Sequence, residues 1–229
     1  MSESNPVGAV HQVPKLGFVN AYLVEIGGGR LALIDTGTPG SEKKILACLE
    51  GIGRKPGDVE YIVLTHADAD HSGSASRLKQ VTGATLAIHE LDAPRITGEK
   101  KVKDVGGLGG VMVGVFGAFM KVEKVKPDLL LKEGSSIGPL AVIHTPGHTD
   151  GSICLYRPDQ VLFSGDLLRT DSSGVRTASA RMSRDMDEVK RSVEKVSRLS
   201  YQSLMPGHGP PIMAGASDKV RALVERGFG

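Results

Sequence analysis

Six consecutive positions, His66, Ala67, Asp68, Ala69, Asp70 and His71, carry two imidazoles and two carboxylates. Ionisable groups crowded this closely repel one another or stay partly protonated unless a cation neutralises them. A mix of imidazole nitrogen and carboxylate oxygen suits zinc, iron or manganese, whereas calcium wants more oxygens. The segment therefore reads as a metal site. It follows directly on the apolar run Tyr61-Ile62-Val63-Leu64, so a strand delivers it to the carboxyl edge of a sheet, where open α/β folds place their chemistry. Three more turn-embedded candidates stand after apolar runs: His148 in Thr145-Pro146-Gly147-His148-Thr149, Asp166 in Phe163-Ser164-Gly165-Asp166, and His208 in Pro206-Gly207-His208-Gly209. Together with the cluster they make a complete set for two metal ions.

The pattern of apolar and turn residues predicts the elements that position this set. Residues 20–26 and 31–34 read as a hairpin around Gly27-Gly28-Gly29-Arg30 that ends at Asp35-Thr36-Gly37. A helix over 39–49, a strand over 61–64, a helix over 72–81 and a strand over 84–88 follow. Residues 140–144, 152–156 and 161–163 read as a meander of short strands. The stretch 185–199, with Met186, Val189, Val193 and Val196 at helical spacing, reads as a helix leading to a strand over 203–205. One plan occurs twice: strand to Asp35, helix, strand to His66, and strand to Asp166, helix, strand to His208. Two such halves packed sheet on sheet would bring their carboxyl edges to one groove.

With 229 residues and 40% apolar composition, the chain is long enough for one sizeable enzyme domain, 1–229. The net charge of +2 arises from 28 basic and 26 acidic residues mixed along the chain, so no field steers nucleic acid. No tryptophan is present and aromatics make up 4%, which disfavours a stacking nuclease. Cys48 and Cys154 have no CxxC partner and are expected as reduced thiols, with Cys154 in the core. The N-terminus lacks a basic start and an apolar run, which argues against secretion and makes the cytoplasm the expected location. Residues 105–120 form an apolar, glycine-rich insertion, shorter than the about 20 residues a membrane-spanning helix needs. A lid over the groove or a homodimer contact is the expected role, ahead of an interfacial helix. His11 and His89 read as surface or satisfied core histidines; His144, four residues before His148, is either another or a hydrogen-bonding support of the site.

From the turn at Asp35 to His208, five motifs in order, each at a strand end, make residues of roughly 18–212 resemble the metallo-β-lactamase-fold hydrolase superfamily. The resemblance implies an α/β fold, a four-layer αββα sandwich with a dinuclear site between its sheets. It assigns His66, Asp68 and His148 to the first metal, Asp70, His71 and His208 to the second, and Asp166 to both. Asp35 would support the loop carrying the cluster by hydrogen bond, or serve as a turn former. Asp68 departs from the commoner HxHxDH pattern, in which a second histidine stands there. Its shorter reach and added charge move the site toward iron or manganese, although zinc remains the first expectation. The implied chemistry is hydrolysis of a small-molecule ester, thioester, lactone, phosphoester or β-lactam by metal-bound hydroxide, formed between ions about 3.5–4 Å apart. Asp70 would orient the nucleophile and take up its proton. Two other readings of the same fold are an iron-dependent, oxygen-using enzyme resembling persulfide dioxygenases, and a metal-free binding module.

Overall fold

Gly28 and Gly29, at φ of +60° and +73°, turn β2 (Tyr22–Gly27) into β3 (Arg30–Ile34), a backbone that residues with a Cβ rarely adopt. The computed structural model describes residues 9–100 and 121–228, so the insertion at 105–120 lies outside the described residues. A short β1 (Val10–Gln12) pairs antiparallel with β2. Helix α1 (Glu42–Gly51) then carries the chain to β4 (Val59–Leu64), parallel to β3. Helices α2 (Ala69–Ser72) and α3 (Ala75–Thr82) lead to β5 (Thr85–His89), parallel to β4. After α4 (Ala93–Ile96), β6 (Leu129–Leu131) completes a six-stranded sheet in the order β1 to β6.

The second sheet begins with β7 (Ser136–Ile137), β8 (Leu140–His144), β9 (Ile153–Arg157) and β10 (Val161–Gly165), a continuous antiparallel meander. A separate hairpin, β11 (Leu168–Asp171) and β12 (Gly174–Thr177), precedes α5 (Met186–Ser197). Strand β13 (Ser203–Pro206) returns parallel to β10, and α6 (Ala216–Glu225) closes the described chain. The duplicated plan is present as two parallel pairs, β3 with β4 and β10 with β13, each crossed by a helix.

Strand alternation explains the layers. Ala32, Ile34, Val63 and Ala87 turn one way and meet Val142, Leu155, Phe163 and Met205 of the second sheet in a shared core. Their neighbours Leu33, Ile62, Leu64 and Leu86 turn the other way, onto Ile45 and Leu49 of α1 and Leu78 of α3. On the far side, Cys154, Leu162 and Leu204 pack against Val189, Val193 and Val196 of α5 and Val220 and Leu223 of α6. Helix, sheet, sheet, helix is the result, as the resemblance implied. Helix α5 is started by Asp185, whose carboxylate accepts the backbone N–H groups of Asp187 and Glu188. Both cysteines are free, and burial pushes the Cys154 thiol up to about 12.

Some expected boundaries shift. The helix expected over 72–81 is broken at Gly73, because the chain there touches the loop before α1: a Cβ on Gly73 would lie 2.4 Å from the Pro39 nitrogen. Helix α1 starts at Glu42, later than position 39. Among the described residues, no helix is long and apolar enough to cross a membrane.

Candidate metal centre

Strands β3 and β4 end side by side, and their ends build the floor of the site. Asp35, just past β3, sits at φ +59° with its side chain buried. One carboxylate oxygen accepts the Thr65 N–H at 2.8 Å, and the other lies 2.8 Å from His71 Nδ1. The short helix α2 follows at once and lifts Asp70 and His71 toward the second sheet. From that sheet come His148, in the loop between β8 and β9, Asp166 just past β10, and His208 just past β13.

All four histidines are held in one manner. His66 Nδ1 lies 3.0 Å from Thr65 Oγ1, His71 Nδ1 faces Asp35, His148 Nδ1 lies 3.3 Å from Ser183 Oγ, and His208 Nδ1 lies 2.8 Å from the Phe18 carbonyl. With Nδ1 engaged, Nε2 is the nitrogen each ring presents inward. His148 Nε2 is 3.2 Å from Asp68 Oδ2 and 3.3 Å from Asp166 Oδ2. His71 Nε2 and His208 Nε2 stand 3.1 and 3.2 Å from the other oxygen, Asp166 Oδ1. Asp166 thus turns one oxygen to each side. Asp70 Oδ2 is 3.5 Å from His208 Nε2 and 3.8 Å from His71 Nε2.

These atoms form three overlapping groups able to hold a cation: His66 with Asp68 and His148; Asp70 with His71 and His208; and His66 with His71 and Asp166. Within each group the ligand atoms lie within 4.8 Å of one another. The donor set fits a metal on a further ground: His66 Nε2 is buried with no hydrogen-bond partner, an arrangement that costs free energy unless the lone pair coordinates something. Charge is unevenly spread. Burial, then the neighbouring His71, pushes His66 well below the ordinary imidazole range. Burial would lower His71 too, but Asp166, Asp35 and Asp70 outweigh it and raise that ring well above the range. Burial would raise Asp166, yet His71 and His148 hold it well below the usual carboxylate range. The carboxylates and His71 thus stabilise each other's charge, a role a bound cation would also serve.

Every motif residue named from the sequence is therefore brought to one place, and Asp35 touches both Thr65 and His71. His144 stands outside the three groups: its ring stacks on His89 at 4.1 Å, and its Nε2 lies 2.8 Å from the Asp150 carbonyl. Gly147 and Gly165, at φ +126° and +48°, serve turns as expected. Gly207 serves a different need, because a Cβ there would lie 2.6 Å from Asp166 Oδ1. Sequence reasoning passed over Asn20, whose amide donates to the carbonyls of Pro206 and Gly209 and so frames the His208 turn. It also passed over Ser183 and Asp92; a lone polar residue far along the chain gives no signal of the loop it will meet.

The chain belongs to the metallo-beta-lactamase superfamily, whose family model matches residues 14–208. It is 30% identical over 224 residues to the Bacillus subtilis (strain 168) protein YobT, covering 93% of this chain and 92% of that one. It is 31% identical over 157 residues to the human acyl-coenzyme A thioesterase MBLAC2, covering 64% of this chain and spanning about half, 54%, of the thioesterase. Among solved structures it is similar to TTHA1623 in a di-iron-bound form, with a TM-score of 0.67, 28% identity, and coverage of 93% of this chain and 98% of that one. The fold implies divalent metal binding, and the histidine and aspartate groups could hold such ions.

Proposed function

We propose that this chain is a single-domain metallohydrolase with two divalent ions, zinc first and iron the competing ion, acting on a small-molecule ester or thioester. One observation carries the reading: four imidazoles anchored through Nδ1 turn Nε2 toward Asp166 and the two carboxylates on either side of it, Asp68 and Asp70. His66, Asp68 and His148 would hold one ion, Asp70, His71 and His208 the other, with Asp166 shared. A bound pair supplies an activated water at neutral pH and polarises the scissile carbonyl.

The protein's own groups do the rest. Asp70, 17% exposed and with Oδ2 3.5 Å from His208 Nε2, would accept a hydrogen bond from the attacking water and take its proton. Asp35 keeps the Nδ1 of His71 engaged, so that its Nε2 faces inward. Phe18, exposed and stacked parallel on His208 at 5.8 Å, forms an apolar wall beside the reacting group. The thioesterase among the relatives supports a thioester ahead of the phosphoester, lactone and β-lactam. Iron has support in Asp68, a harder donor than the histidine it replaces, and in the di-iron-bound neighbour.

Elemental analysis of protein purified without chelator, followed by an ester and thioester panel, tests the reading. About two ions per chain are expected, with hydrolysis lost on chelation and reduced about 10²–10⁴-fold by Asp70→Ala. Full turnover by the chelated protein sinks it. One iron per chain with substrate-linked oxygen uptake would instead establish the oxygen-using enzyme.

A further inference from the structure

Asp92 follows β5 and has no solvent exposure, 0%. Its Oδ2 accepts two hydrogen bonds, from the Ala67 N–H at 2.8 Å and from Thr149 Oγ1 at 2.9 Å. Its Oδ1 accepts the Gly151 N–H at 3.0 Å and lies 3.6 Å from Arg95 Nη1. Ala67 stands between His66 and Asp68, and Thr149 follows His148. One carboxylate oxygen therefore joins the two loops that carry the whole first group, loops contributed by different sheets. The approach is close: a Cβ on Gly151 would lie 2.7 Å from the Asp92 nitrogen.

A buried carboxylate is expensive unless donors compensate it, and here the donors are the ligand loops themselves. The need for such a clamp comes from Asp68. Aspartate reaches less far than the histidine of the commoner pattern, so a cation shared with His148 requires the loops drawn together; Asp68 Oδ2 and His148 Nε2 stand 3.2 Å apart.

We propose that Asp92 is a positioning residue for the first metal group, its Oδ2 fixing the Ala67 and Thr149 loops so that His66, Asp68 and His148 meet. This rests on reading those three residues as metal ligands. Asp92 acts on the backbone beside His66 and Asp68 and on the hydroxyl beside His148. The second group has no such contact with Asp92 among the described residues, so the effect is confined to one site.

The test measures Zn²⁺ affinity by competition with a chromophoric chelator, and the Co²⁺ absorption spectrum, on the full chain stripped of metal. His208→Ala leaves the first group to be titrated, and His148→Ala leaves the second. Asp92→Asn keeps the shape but removes the charge and puts an amide donor against other donors: the Gly151 N–H and Arg95 in one orientation, the Ala67 N–H and the Thr149 hydroxyl in the other. In the His208→Ala background it weakens Zn²⁺ binding about 10–100-fold and alters the Co²⁺ spectrum; in the His148→Ala background it changes neither. Thr149→Val, which removes one donor and leaves Asp92, shifts the first group the same way by less, and decides the matter if Asp92→Asn does not fold. Wild-type affinity and spectrum in both variants, or equal weakening of both groups, overturns the clamp while a wild type holding two ions keeps the dinuclear reading. A wild type that binds no metal overturns both.

Discussion

The two ligand groups draw on the same side-chain types but are supported by different chemistry. In the second, His71 is backed by a buried carboxylate, Asp35, and with Asp166 and Asp70 also near its ring is driven well above the ordinary imidazole range against the effect of burial. In the first, His66 and His148 are backed by the hydroxyls of Thr65 and Ser183, and His66 lies well below that range. Access differs as well: the rings of His66 and His148 are 1% and 2% exposed, whereas His208 in the second group is 26% exposed. A ligand backed by a carboxylate is the more basic donor, and an open ligand sphere lets solvent and substrate in. On the proposed function, the second group joins the more basic ligand, His71, to the more open one, His208, through which solvent would enter.

The largest way to break this contrast is to remove what the two groups share. Asp166→Ala deletes the oxygens facing His71 and His208 on one side and His148 on the other. On the proposed function both ions should be lost together and hydrolysis should fall by about 10³-fold or more, as a metal-assisted step loses its centre. Loss of only one ion by elemental analysis would show that the groups are independent.

Asp35→Asn separates the groups. It keeps the size of the side chain but removes the charge behind His71 Nδ1. Zn²⁺ affinity of the second group should drop about 10–100-fold and that of the first by less, because Asp35 reaches His66 only through the Thr65 hydroxyl. Calorimetric titration reads the two steps apart, and an equal loss at both would sink the contrast. Gly207→Ala acts on the same side by crowding: its Cβ would lie 2.6 Å from Asp166 Oδ1 and 2.7 Å from His71 Cε1. A melting temperature corresponding to a loss of about 1–3 kcal/mol is expected, with the open group weakened more than the enclosed one.

The residues that meet at the candidate centre were legible in the sequence because the chain writes them locally. His66 to His71 are contiguous, and the other three sit in glycine turns after apolar strands. The doubled strand-helix-strand plan was legible for the same reason, and both parallel pairs exist. Hairpin β11–β12 was not: Leu168-Arg169-Thr170-Asp171 alternates buried and exposed over only four residues, and its pattern is obscured by polar side chains. Helix α6 had a signal that went unused, Ala216, Val220 and Leu223 at helical spacing. Asp92 had none, since its role consists of bonds to loops distant in sequence.

The smallest effect sharpens the contrast from outside the ligands. His89 and His144 stack at 4.1 Å beside the His148 loop, where His144 Nε2 meets the Asp150 carbonyl. Burial, then the neighbouring His144, lowers His89 below its ordinary value, against the pull of Glu90, Asp92 and Glu133. A histidine whose folded pKa is depressed binds its proton more readily when unfolded. Its contribution to stability is therefore full above the unfolded value of about 6.5 and is lost as pH falls from there through the folded value. His89→Gln should make the fall of melting temperature between about pH 7 and about pH 5 shallower, measured on metal-free protein so that ligand protonation at the centre is the same in both chains. An unchanged slope would mean that His89 binds its proton alike in the folded and unfolded chain over that interval, leaving the acid sensitivity of the His148 loop to other groups.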